Sequence, residues 1–117
     1  MDEVTKSVKE VLDNIRAIHG DEMGALSAVA MDIMVDAMQH ALLAARFTVE
    51  MEGSMEKANS VSKSIMTRGK YVVLGMFTML APRIGPGKKT EVLTIIAKAV
   101  DKLYLEALKQ YGFELGN

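Results

Sequence analysis

An all-α fold is what the sequence predicts: a four-helix bundle built on a long antiparallel helical hairpin. Three observations lead there. Pro occurs only twice and aromatic residues make up 5% of the chain, whereas Ala, Met, Leu, Lys and Glu are plentiful, a balance that favours helix over sheet. Apolar residues recur at spacings of three and four through almost the whole length. The stretch 26–45, LSAVAMDIMVDAMQHALLAA, is apolar over about two-thirds of a helical circumference. A helix with so broad an apolar face needs neighbours on more than one side. With 117 residues the chain is read as one domain, 1–117, large enough for a modest core.

The first helix is expected over 2–19. Val4, Val8, Val11, Leu12, Ile15 and Ile18 lie on one stripe, while Lys6, Lys9, Asp13 and Arg16 turn outward. His19-Gly20 is a suitable stop. Asp21 is expected to cap the second helix, 22–52, with Glu22 in its first turn. Gly24 weakens that start by about 1 kcal/mol relative to Ala. Within this helix Asp32, Asp36, Gln39 and His40 share a wedge roughly 100° wide, continued by Arg46 and Glu50 and interrupted by Leu43. Segment 47–52 alternates apolar and polar, and a strand paired with 71–77 is the competing reading. Helix is preferred, because so short a strand lacks an obvious sheet.

Gly53 suits a left-handed C-cap and Ser54 an N-cap. The third helix is expected over 54–81, with Ala58, Val61, Ile65, Gly69, Val72, Met76 and Met79 facing inward. Gly69, between Arg68 and Lys70, marks either a kink or a close approach of another helix. Pro82 ends it, and 82–89 (PRIGPGKK) is expected as a loop. Thr90 then caps a fourth helix, 90–111, which buries Val92, Ile96, Ala99, Val100, Leu103, Ala107 and Tyr111, with Gly112 closing it. Pairing across the 53–54 turn places Asp36 near Lys70 and Met31 near Gly75.

Composition narrows the function classes. There is no cysteine, hence no disulfide framework and no thiolate metal site. The N-terminus is charged and lacks an apolar signal core, and the central stretch carries too many charges for a spanning helix. A cytoplasmic protein off the membrane is expected. The net charge of −1 conceals an asymmetry. Residues 1–53 hold ten acidic and four basic side chains (−6), whereas 54–90 hold seven basic and one acidic (+6). Either the halves pack together or the basic half meets an anionic partner.

Three sites follow. Asp32, Asp36 and His40 stand at i, i+4 and i+8, a carboxylate–imidazole strip suited to a divalent metal if another helix adds ligands; His19, Glu22 and Glu50 are the candidates. No Glu-x-x-His pair occurs. Arg83, Lys88 and Lys89 at a helix start, with Arg68 and Lys70, form an anion-binding candidate. It is not a Walker loop, since Pro82 and Lys89 break that pattern. Finally, ten residues are Met, flexible thioethers that suit cores and adaptable interfaces. Met31, Met34, Met38, Met76 and Leu105 are the expected interface.

With two histidines and no cysteine, no nucleophile–base constellation can be assembled, and no cofactor is called for. The leading expectation is a self-associating protein-interaction module, a homodimer or the partner of another protein. The alternative is an anionic-ligand or nucleic-acid binder using the basic segment 57–89, although the pI near 6.1 and the lack of a docking motif argue against nucleic acid. A metal-dependent enzyme on the Asp/Asp/His face is third.

Overall fold

The computed structural model describes residues 3–80 and 83–110, which form four helices and, among them, no strand. They are α1 (Glu3–His19), α2 (Asp21–Glu52), α3 (Met55–Met79) and α4 (Pro86–Gln110). Segments 47–52 and 71–77 are helical throughout, so the strand alternative falls. Met1, Asp2, Ala81, Pro82 and 111–117 lie outside the described residues, and with them the expected helix stop at Pro82, the stripe position Tyr111 and the closure at Gly112.

α2 is the axis of the molecule. Its 32 residues span about 48 Å at 1.5 Å per residue, matching the longest dimension, 47 Å, of a body 47 × 30 × 22 Å. α1, α3 and α4 all pack on it, α1 also meets α4, and α3 touches α4 only sparingly. By length and composition α2 could cross a membrane. Its buried row, which includes Ala30, Met31, Met34, Met38, Ala41 and Ala45, runs along its length beneath the other helices, so core packing accounts for part of that apolarity, with 33% of the apolar stretch buried. The radius of gyration, 15.3 Å, exceeds the roughly 13 Å of a compact domain of this length. The bundle is elongated because the hairpin is long.

Local chemistry explains most of the ends. Gly53 adopts φ 65° and donates its N–H to the Val49 carbonyl at 2.9 Å, a left-handed cap that costs glycine nothing. Ser54 Oγ accepts from the Lys57 N–H at 3.1 Å. Between α1 and α2 the cap is Gly20 at φ 95°, ψ 172°, not Asp21, which is already helical; only glycine enters that region without strain. Gly24 is a packing site: a Cβ there would stand 3.0 Å from the Arg16 side chain, so its absence lets α1 and α2 close together.

Three expectations about α3 and α4 are corrected. α3 ends at Met79, with Leu80 as its cap. α4 begins at Pro86, a turn before Thr90, because Pro at a first helical position forfeits no hydrogen bond and has the helical φ built in. Thr90 therefore does not cap; its hydroxyl donates to the Pro86 carbonyl at 2.9 Å. There is no break at Gly69. The helix is continuous, and a Cβ on Gly69 would lie 2.7 Å from the Ala37 Cβ, the close approach that was the alternative.

The buried rows also differ. α3 buries Ala58, Ser62, Met66, Gly69, Val73 and Phe77, one step round from the expected row, so that Val61, Val72 and Met79 are exposed. Both rows have helical spacing and share Ala58 and Gly69; the helix is turned so that Ser62, Met66, Val73 and Phe77 go inward in place of Val61, Val72 and Met79. Ile18 is likewise exposed. In α4, Val92, Ile96, Val100 and Leu103 are buried as expected, joined by Tyr104 and Leu108. Tyr104 donates its phenolic hydroxyl to Ser62 Oγ, and Ser62 donates to the Asn59 carbonyl at 3.1 Å. This polar link, with Lys70–Asp101 at 3.1 Å, ties α4 antiparallel alongside α3.

Candidate interaction surface

The hairpin has one covered face and one bare one. α1 and α4 cover α2 around Met31, which lines one cleft with Val8, Val11 and Leu103. α4 approaches α3 at Val73 and Leu74 through Leu93 and Ile96. Rotating away from α4 on α3, and away from both on α2, leads to rows that none of the described elements covers. On α2 these are Val29, Leu43, Phe47 and Met51; on α3 they are Val61, Val72 and Met79. Phe47 keeps 63% of its surface exposed and Met79 82%, although isolated burial of either side chain would gain about 1.5–3 kcal/mol. Near the turn the two rows meet in an open groove of about 650 Å³, lined by His40, Leu43, Ala44, Phe47 and Val61 among others.

The expected polar wedge of α2 is exposed along its whole length, but Val29, Phe47 and Met51 share its solvent side, so the strip is wider and more apolar than its charges suggested. Asp36 Oδ2 lies 3.9 Å from His40 Nδ1, and Asp32 has no ion-pair partner among the described residues. The three possible completing ligands are elsewhere: His19 is buried with Nε2 3.8 Å from Glu91, Glu22 pairs with Arg83 at 2.6 Å, and Glu50 pairs with Arg46 at 3.2 Å. Among the described residues no three His, Asp or Glu side chains are gathered as metal ligands.

The five residues of the anion candidate are dispersed. Arg83 is engaged by Glu22 and Lys70 by Asp101 rather than by Asp36. Lys88 and Lys89 belong to the first turn of α4 instead of a loop. Arg68 projects from the bare side of α3 without an ion-pair partner among the described residues. The acidic and basic halves touch through Arg83–Glu22 and Lys57–Glu52, exposed pairs that contribute at most about 1 kcal/mol each. The asymmetry of charge is mostly carried outward.

Of the residues expected at an interface, Met31, Met34 and Met38 are core, each no more than 2% exposed. Their flexible thioethers fill the space where three helices converge on α2, and they are corrected to packing residues of the single chain. Met76 is half-buried, and Leu105 is exposed on the outer side of α4. Leu43 and Phe47, absent from the expected set, are exposed apolar residues of the hairpin, as is Met51; the apolar intruder at Leu43 was the signal in the sequence.

No known family pattern matches the chain. No curated protein and no solved structure is detectably similar to it.

Proposed function

We propose that this chain is a self-associating helical interaction module whose activity resides in its exposed apolar surface. One observation carries it: of the twelve large apolar side chains left exposed among the described residues, all but Ile18 and Leu105 lie on the α2–α3 hairpin. Scattered apolar side chains are ordinary on a protein surface, but a concentration of them on one pair of helices marks a contact surface. A cytoplasmic setting belongs to the same proposal, since a chain without cysteine needs no oxidising compartment.

Mass in solution tests it. Sedimentation equilibrium across a hundredfold dilution is expected to give a species of two chains, twice 12.8 kDa, at the concentrated end. A 12.8 kDa species at every concentration would refute self-association.

A further inference from the structure

The geometry points to the bare face of the hairpin as a self-recognition surface, on which a second copy docks with its 53–54 turn at the same end. α2 of each copy then lies antiparallel on α3 of the other. This rests on the self-association reading and adds the face and the arrangement.

The size of the face fits. It is about as long as the 47 Å body and two helices wide, each helix about 10 Å across. That is roughly 900 Å² per copy, against about 800 Å² per partner in stable complexes. Its composition is mixed: on α2 Asp36 and His40 stand in line with Val29 and Phe47, at i, i+7, i+11 and i+18, and α3 offers Val61, Val72 and Met79.

Charge selects the arrangement. Two hairpins can pack face to face about a two-fold axis in only two simple ways. An axis across the helices at their mid-height lays α2 on α2 and α3 on α3, which sets Asp36 beside Asp36 and Arg68 beside Arg68 of the other copy, like against like. An axis along the helices lays α2 on α3. Ala37 stands against Gly69 within one chain, so Asp36 and Arg68 occupy nearly the same height. In the second arrangement Asp36 of each copy comes within a turn of Arg68 of the other. Opposite charges gain where like charges lose, and Arg68 has no ion-pair partner among the described residues. The turn-end groove bounded by Leu43, Ala44 and Val61 then receives the partner's Phe47.

Four variants and one distance test the proposal, with circular dichroism checking the fold of each exposed-site change. Phe47→Glu and Val72→Glu are expected to reduce the mass to 12.8 kDa, while Leu105→Glu, off the face, leaves the dimer intact. Arg68→Glu is expected to weaken association at least tenfold, and adding Asp36→Arg to restore it. The chain has no cysteine, so Glu52→Cys, an exposed site off the apolar rows, carries a single spin label per copy. With turns at one end the labels lie within about 30 Å, the span of two or three helix diameters. With turns at opposite ends they stand about 45 Å apart or more, twice fifteen residues at 1.5 Å per residue.

The outcomes separate the two claims. A wild-type monomer at all concentrations overturns both. A wild-type dimer that survives Phe47→Glu and Val72→Glu, or that Leu105→Glu breaks, leaves self-association standing and overturns this face. A dimer broken as expected but with the long label distance, or with no rescue by the charge exchange, overturns the arrangement.

Discussion

Gly69 sets how closely α2 and α3 pack, and substituting it measures that closeness. Ala in place of Gly within a helix gains about 1 kcal/mol from propensity alone. At Gly69 the added methyl would stand 2.7 Å from the Ala37 Cβ and 3.5 Å from Met34 Sδ. Carbon atoms prefer about 3.5–4 Å, so the helices would have to part by about 1 Å in the middle of a seam that runs most of their length. Overpacking of that kind costs about 1–3 kcal/mol. Gly69→Ala is therefore expected to forfeit the propensity gain and destabilise the chain by up to about 2 kcal/mol, the difference of those two effects. Ala37→Gly alone loses about 1 kcal/mol of propensity. Combined, the two substitutions restore the contact with the methyl on the other helix, and urea unfolding should show a favourable coupling of at least about 1 kcal/mol. Gly69→Ala more stable than wild type by the full propensity gain, or additivity within about 0.5 kcal/mol, would refute the close seam.

The other predictions concern separate links in the fold. Gly20→Ala places a Cβ at φ 95° in a region open essentially to glycine alone and should cost about 1–3 kcal/mol, whereas Gly53→Asn, in the ordinary left-handed region, should cost less; thermal melts of the two compare them. Phe77 is fully buried, so Phe77→Ala should lose about 3–5 kcal/mol in denaturant unfolding, and a loss below 1 kcal/mol would contradict its place in the core. Ser54→Ala removes the hydrogen bond to Lys57 N and should cost about 1 kcal/mol, read in the same unfolding experiment.

The helices were legible because their signals are local. Gly53 and Ser54 announce an end and a beginning by chemistry that does not depend on what packs nearby, and the hairpin register follows from the tight turn between them: the 37–69 contact is the pairing that the turn implies. Which face turns inward is a different kind of fact. On α3 the expected and observed rows share Ala58 and Gly69 and satisfy the same periodicity; they part at Val61 and Val72 against Ser62, Val73 and Phe77, and only the neighbour's shape decides between them. Pro86 misled in a similar way, since proline ends helices and begins them with equal ease. The metal and anion candidates rested on residues being brought together from different helices; Arg83 and Lys70 instead found acidic neighbours, Glu22 and Asp101. The bare face was half legible, because apolar excess on two long helices is visible in the sequence while its location is not.

Methionine oxidation tests that face most directly, since the side chains concerned are already present. Dilute peroxide followed by mass spectrometry reads each thioether separately. Core residues Met31, Met34 and Met38 should react slowly at all concentrations. Met51 and Met79, both largely exposed in the single chain, should be protected wherever the mass is that of two chains and react quickly once dilution yields the single chain. Equal, rapid oxidation of Met51 and Met79 in the two-chain species would contradict the proposed contact and leave the bare face uncovered.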